Sequence, residues 1–347
     1  MALYRFRNLS EKIVHFSDSL TIVVGENARG KTNILEAICC LISGEGFRES
    51  KEEELIEIGK SDMQLDGIFI VGENEHHYRI LLQKGKSGTA LKTFFVEKAH
   101  KGQKQYIAEQ TKAVLFAPEQ VEIITGAPSL RRLYFDHVIG SFDYSYKVHI
   151  SNYEQALRKR NKILEYYHGG NIDEQLSFWD TYLMKEGAAI TQTRQNYIEF
   201  LNNNSHLDGR EFKIAYEKNE FSRERLQNKK ELELKIHKTL IGPQKDDFTL
   251  YLLDKEGEAK NIQKYGSRSE QRLGIFWLKM NEIRYMEKEL NIKPILLLDD
   301  VFSEFDHGNK ERILNLIDEH QTIMTTTDKE FVGEIEKKNN NIKTVFV

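Results

Sequence analysis

Gly25, Gly30, Lys31 and Thr32 close a run, Gly25-Glu26-Asn27-Ala28-Arg29-Gly30-Lys31-Thr32, whose spacing is G-x-x-x-x-G-K-[ST]. Each residue type has a physical task. The two glycines permit backbone angles and close approaches that a Cβ would block. The successive N–H groups of the loop form an anion-binding nest where a helix begins, at its positive end. Lys31 offers an ammonium to the β- and γ-phosphates of a nucleotide, and Thr32 offers a hydroxyl to Mg²⁺. Gly25, Glu26, Asn27, Ala28, Arg29, Gly30, Lys31 and Thr32 are therefore the candidate nucleotide-binding residues, with ATP and Mg²⁺ as the implied ligands. The loop alone does not separate a kinase from a GTPase or a mechanical ATPase.

A second set lies near the other end of the chain. The apolar run Pro294-Ile295-Leu296-Leu297-Leu298 ends in Asp299-Asp300. Such a run suits a central parallel strand covered on both faces. A carboxylate at its C-terminal edge can hold the metal, which makes Asp299 a candidate Mg²⁺ ligand with Thr32. Asp300 is the candidate general base or water-orienting group. Neighbours on a strand point to opposite faces, which fits two roles.

These residues need elements to position them. Residues 2–6 and 20–24 read as strands leading to the loop, and 31–43 as its helix, with Ile34, Leu35, Ile38, Leu41 and Ile42 on the apolar side. Residues 64–71, 77–83 and 91–96 read as an antiparallel meander. From Ser129 to Leu201 the chain is helical and polar. Asn202-Asn203-Asn204 reads as a turn, 211–217 as a strand, 219–238 as a charged helix and 247–253 as a strand. A long helix over 269–289, a helix over 308–319, a strand over 321–326, a helix over 329–337 and a strand over 343–347 complete the pattern. The two ends must then build one α/β nucleotide domain, residues 1–128 and 240–347, with residues 129–239 inserted as a mainly helical lobe.

Composition bounds the class. The chain has 347 residues, 39% hydrophobic and 30% charged, with a net charge of −4. No apolar run approaches the roughly 20 residues of a membrane helix, so no membrane is expected. The start of the chain has no signal-peptide pattern. Cys39 and Cys40 are adjacent and read as small buried side chains in a reducing compartment. The expected location is cytoplasmic. A mildly acidic balance neither demands nor excludes nucleic acid, because a binding surface needs only local positive charge. Arg158-Lys159-Arg160-Asn161-Lys162 spreads around a helix axis and reads as a solvated face. His76-His77 has no ligand partner at useful spacing.

Tyr265-Gly266-Ser267-Arg268-Ser269-Glu270-Gln271-Arg272 precedes the long helix where ABC-type ATPases carry their signature. Ser303-Glu304-Phe305-Asp306 stands at the place of their D-loop, and Asp328 at that of their switch. With Phe6-Arg7-Asn8, Phe116-Ala117-Pro118-Glu119, Pro128-Ser129-Leu130-Arg131-Arg132, Ile241-Gly242-Pro243-Gln244-Lys245-Asp246-Asp247 and Thr325-Thr326-Thr327-Asp328, the chain resembles the RecF family of bacterial DNA replication and repair proteins, among the ABC/SMC-type ATPases. The resemblance implies an ABC-type P-loop ATPase head, α/β with a parallel core sheet plus an antiparallel β subdomain, and an inserted helical lobe. It implies an ATP-dependent homodimer in which Lys31 and Asp300 of one subunit and Ser267 of the other form the catalytic set. Closure would clamp double-stranded or gapped DNA, a RecR-like mediator protein would bind, the RecA recombinase would be loaded, and hydrolysis would be slow. Arg7 and Arg29 become candidates to touch nucleotide, Glu119 or Gln120 to sense the γ-phosphate, and Arg48, Arg131 and Arg132 to contact DNA phosphates.

The sequence also departs from the family. Its signature usually has glycine and glutamine where this chain has Ser269 and Glu270, and Leu133 replaces a common third arginine. A side chain and a carboxylate at that place put turnover, more than binding, in question. A hydrolysis-deficient interaction module and another SMC-like ATPase are the alternatives, although the helical middle is too short for the long heptad coiled coils of SMC chains. A P-loop kinase explains residues 21–43 but leaves 266–306 as coincidence.

Overall fold

The computed structural model describes residues 1–48, 51–85, 90–108, 112–207, 209–254, 256–301, 316–338 and 342–347. The expected D-loop, Ser303 to Asp306, and most of the helix expected over 308–319 lie outside the described residues.

The chain opens with β1 (Ala2–Phe6), β2 (Leu9–Ile13), β3 (Leu20–Val24) and α1 (Lys31–Ser43). The meander follows as β4 (Asp62–Val71), β5 (Asn74–Lys84), β6 (Ala90–Val96) and β7 (Ala99–Lys101), then α2 (Gln103–Ala108) and β8 (Ala113–Phe116). Next come α3 (Glu122–Thr125), α4 (Pro128–Phe142), α5 (Tyr144–Glu165) and α6 (Ile172–Asn203). After β9 (His206–Leu207) and β10 (Arg210–Glu217) the chain forms α7 (Arg223–Ile236), β11 (Asp247–Leu253), β12 (Ala259–Asn261), α8 (Ile262–Tyr265) and α9 (Arg268–Glu289). It ends with β13 (Ile295–Asp299), β14 (Thr322–Thr326), α10 (Lys329–Lys338) and β15 (Ile342–Phe346).

Two compact units result, residues 1–118 with 286–347, and residues 119–285. The first holds an all-parallel sheet in the order β15-β3-β14-β13-β8 and an antiparallel sheet in the order β2-β1-β4-β5-β6-β7. Every residue of β3, β13 and β14 is buried; for β13 this is what its continuous apolar run required. The core of this unit joins Leu3, Phe6, Val23, Ile34, Leu35, Leu41, Leu65, Ile80, Leu297 and Ile323. The expected apolar side of α1 is thus its buried face. The meander was legible, but β1 and β2 extend the same sheet, a pairing that strand composition does not encode.

The second unit contains the sequence-drawn lobe of 129–239 and an antiparallel sheet in the order β12-β11-β10-β9. Buried charges tie it together. The Arg194 guanidinium, 2% exposed, donates to the carboxylates of Asp136 and Asp246 and to the Pro243 carbonyl. Arg160 binds Asp180, Glu233 and the Thr239 hydroxyl. The basic run on α5 does spread around the axis as expected, with Arg158 exposed; Arg160 is the exception, buried at the interface of α5, α6 and α7.

Arg131, a candidate DNA contact from sequence, is also buried, with its guanidinium forked onto Asp247 at 2.7 and 3.0 Å. A cation so engaged is not available to a phosphate backbone. Burial opposes ionisation of Asp247, but the Arg131 hydrogen bonds, the Phe248 amide and the charges of Arg131 and Arg132 outweigh it and hold the carboxyl below its ordinary value. A depressed carboxyl contributes stability above its unfolded pKa, about 3.9, and that contribution is lost as pH falls through the lower folded value. Chemical unfolding should therefore find the unaltered chain more stable than Asp247→Asn at pH 7, with the gap closing below about pH 3.9. A gap independent of pH would refute this assignment.

Candidate functional site

Gly30 caps the N-terminus of α1 with φ of +105°, a left-handed conformation. A Cβ there would meet Asn8 Oδ1 at 2.8 Å, so both the angle and the space demand glycine. At Gly25 a Cβ would lie 2.6 Å from the Val347 carbonyl oxygen. Between them Glu26, Asn27, Ala28 and Arg29 form an exposed tip. Ala28 has φ of +64°, which an L side chain adopts at a cost of about 1 kcal/mol. The Asn8 side chain donates to its carbonyl at 3.2 Å, and Asn33 donates to Asn8 at 2.6 Å. Two amide side chains thus hold the tip from outside the loop.

Lys31 is buried, and its ammonium donates to the Gly25 and Glu26 carbonyls at 2.9 Å each. The Thr32 hydroxyl donates to Asp299 Oδ1 at 2.9 Å across 267 positions of sequence. Because a carboxylate only accepts, the Thr32 hydrogen is committed and its oxygen lone pairs remain for a cation. A hydroxyl oxygen and a carboxylate oxygen converging in this way are the hard donors that Mg²⁺ takes, so the residues present fit the metal. Among the described residues there is no cluster of three or more His, Cys, Asp or Glu side chains able to hold a metal by themselves.

Asp300 follows with φ of +49° and is partly buried. Its N–H donates to Thr325 Oγ1 at 3.0 Å, and Thr325 in turn donates to Asp299 Oδ1 at 2.7 Å. Asp328, placed from sequence at a switch position, accepts from the Glu330 N–H at 3.0 Å and so opens α10.

A neighbouring group was not singled out from sequence as a set. Glu36, on α1, is fully buried, and its carboxylate accepts from Arg7 Nε and a terminal nitrogen at 2.8 Å each. It also accepts from an Arg48 terminal nitrogen at 2.8 Å and from the Arg48 N–H at 3.2 Å. Arg48 further bonds the Asn33 side-chain oxygen. Arg7 and Arg48, candidates for nucleotide and DNA, are therefore held by one buried acid. The signal in the sequence was a lone Glu on the apolar stretch after the loop. Arg29, by contrast, meets Glu26 at 3.4 Å with both side chains exposed.

The second unit carries the segment that the sequence sets at the place of an ABC signature. Ser267 stands before α9; its N–H donates to Glu270 Oε2 at 2.7 Å, and its hydroxyl accepts from the Glu270 N–H at 3.3 Å. This is a capping box. Lys260 binds both Glu270 oxygens at 2.9 Å. Desolvation disfavours the Glu270 carboxylate, but Lys260 and the Ser267 bonds outweigh it and hold the carboxyl below its ordinary value. Arg132 bonds the Asp246 carbonyl at 2.8 Å. Glu119 and Gln120 lie in a 3-10 turn, Pro118–Val121, after β8.

The model of the RecF/RecN/SMC N-terminal domain matches residues 1–346. The chain is 32% identical to the DNA replication and repair protein RecF of Agathobacter rectalis over 99% of its own length and 95% of that protein. It belongs to the RecF family. The same protein of Streptococcus thermophilus is 33% identical over 99% of this chain and 95% of its own. Among solved structures, the recombination mediator protein RecF with ATP, of the RecFOR pathway, superposes with a TM-score of 0.85 at 29% identity, covering 94% of this chain and 91% of that one. The first unit is thus part of an ABC-type ATPase head of the RecF/SMC kind. No described helix is long and apolar enough to cross a membrane.

The buried acid yields a direct test. Removing one partner of a buried charged hydrogen-bonded set leaves part of the other undersatisfied, at about 1–3 kcal/mol. Arg7→Met should lower the unfolding free energy by about that amount in urea titration. An unchanged midpoint would mean that Arg48 alone satisfies Glu36.

Proposed function

We propose that this chain is an ATP-dependent DNA-binding protein of recombinational repair and replication that dimerises on Mg²⁺-ATP to clamp double-stranded or gapped DNA. The observation that carries this reading is the Thr32–Asp299 hydrogen bond behind a formed phosphate loop, in a chain of the RecF family. The relative solved with ATP supports the choice of nucleotide. The head, residues 1–128 and 240–347, binds nucleotide, and residues 129–239 form an inserted, mainly helical lobe.

In this reading Lys31 exchanges the Gly25 and Glu26 carbonyls for phosphate oxygens, and the loop N–H groups hold the same phosphates. Thr32 and Asp299 hold Mg²⁺, which supplies charge neutralisation at the phosphates. Asp300 orients or deprotonates the attacking water. Ser267 of a second copy completes the site from the start of its α9, where a helix N-terminus and a hydroxyl suit an anion. Turnover is slow, and a RecR-like mediator protein joins the clamp to load RecA. Glu270 does not oppose this reading, because Lys260 balances its charge and Ser267 remains the capping residue.

Lys31→Ala should abolish nucleotide binding in a fluorescent-analogue titration, while Asp300→Asn should bind normally and fail to hydrolyse. Equal affinity of Lys31→Ala and the unaltered chain would remove the site assignment. In sedimentation with Mg²⁺-ATP, Asp300→Asn should form a dimer that carries gapped duplex DNA with it; a nucleotide-bound monomer would overturn the clamp. Ser269→Gly, which removes the extra Cβ in the signature, should raise the ATPase rate. An unaltered rate would show that Ser269 does not limit turnover.

A further inference from the structure

The hydroxyl of Thr325 occupies a place that the site described above does not use. Thr325 lies on β14, the strand between β3 and β13, in register with Val23 on one side and Asp299 on the other. It is 1% exposed. Its Oγ1 lies 2.7 Å from Asp299 Oδ1 and 3.0 Å from the N–H of Asp300.

The polarity of both bonds is forced. An ionised carboxylate only accepts and an amide N–H only donates. The single hydroxyl hydrogen of Thr325 must therefore go to Asp299, and an oxygen lone pair must receive the Asp300 N–H. No rotation of the hydroxyl can reverse this. Asp299 Oδ1 then takes two hydroxyl donors, Thr325 from the neighbouring strand and Thr32 from α1. Those two bonds fix the carboxylate plane. On the other side, the Asp300 backbone sits at φ of +49°, in the left-handed region, which a non-glycine residue enters at some cost although aspartate tolerates it better than most. A backbone in that region persists only where its surroundings hold it. The bond from its N–H to Thr325 is one such hold, and it comes from the oxygen that also fixes Asp299.

We infer that Thr325 is a positioning residue that couples the two acids: one buried hydroxyl sets the orientation of the metal-holding Asp299 and the backbone conformation that aims Asp300. The inference rests on the nucleotide-site reading above. A hydroxyl is required, not merely a β-branched shape. Threonine combines it with a methyl group that suits a fully buried strand. Outer partners of metal ligands typically change metal affinity or activity by about 10–100-fold when removed.

The test compares Thr325→Val, which keeps shape and loses the hydroxyl, with Thr325→Ser, which keeps the hydroxyl. Binding of a fluorescent, non-hydrolysable ATP analogue is titrated with Mg²⁺ and repeated in excess EDTA, and single-turnover hydrolysis is timed separately. Thr325→Val should raise the Mg²⁺ concentration for half-saturation and slow single-turnover hydrolysis, each about 10-fold or more. Binding in EDTA should match the unaltered chain. Thr325→Ser should restore both quantities to near those of the unaltered chain, well short of the about 10-fold change expected when an outer partner is lost. Thr325→Cys, a weaker donor and acceptor, should fall between and replaces Val should that variant not fold. Equal Mg²⁺ dependence and rates in Val and the unaltered chain overturn the inference. So does a loss shared equally by Val and Ser, or a fall in EDTA binding of the same size, since each marks general damage to the strand. Absence of Mg²⁺-dependent binding in the unaltered chain is a different failure, removing the proposed nucleotide site itself.

Discussion

The carboxylate of Asp299 is the point on which the first unit depends. It receives hydroxyl hydrogens from Thr32 and Thr325, which stand on different elements, one of them 267 positions away in sequence. The sheet order β15-β3-β14-β13-β8 makes this possible. It sets β14 between the strand that enters the phosphate loop and the strand that ends in Asp299-Asp300. The two ends of the chain must pair in parallel, and the residues between must leave the sheet and return. The entropic cost of closing so long a loop rises only with the logarithm of its length, so an insertion of this size is tolerable. The buried, β-branched and aliphatic residues of β3, β13 and β14 supply the burial that offsets it.

Charge inside this unit follows a consistent logic. A fully buried carboxylate such as Glu36 costs several kcal/mol unless paired and hydrogen-bonded. Four bonds from Arg7 and Arg48 meet that demand. The arrangement also fastens three separated pieces of chain: the residues after β1, the helix of the phosphate loop and the segment after it. Asn33 and Asn8 carry the same framework out to the Ala28 carbonyl at the loop tip. The strained left-handed Ala28 is therefore not an isolated defect. It sits at the end of a chain of side-chain bonds that begins at a buried ion pair.

Much of this was legible in the sequence, and what was not has a common cause. The loop, its strand and helix, the apolar strand before Asp299 and the meander all announce themselves through local patterns of glycine, β-branched residues and alternation. Thr32 and Asp299 could be paired from sequence because the chemistry of each implies the other, and the fold does bring them into hydrogen-bond contact. Glu36, Asn8, Asn33 and Thr325 could not, since their roles depend on which strands and turns become neighbours. Arg131 and Arg160 show the converse. One read as a candidate DNA contact and the other as part of a solvated basic run, and both are buried because an acid from a distant segment, Asp247 or Glu233, meets them. A run of charges tells how a helix is coloured, not which of its residues the tertiary fold turns inward.

The departure at the signature follows the same lesson in the opposite direction. Read one residue at a time, Glu270 sets a negative charge beside a place where phosphate is expected, and like charges repel. In the folded chain the carboxylate closes a capping box with Ser267 and is gripped at both oxygens by Lys260. The pair Glu270–Lys260 is formally neutral, as a glutamine would be, and a glutamate fills the third helical position of a capping box as well as a glutamine does. The amide of Glu270 still meets the Ser267 hydroxyl, so the serine is held at the helix start rather than displaced from it. What remains of the departure is the added side chain at Ser269. Within the proposed function, steric access at the start of α9, more than electrostatics, is then the quantity that Ser269 puts at stake.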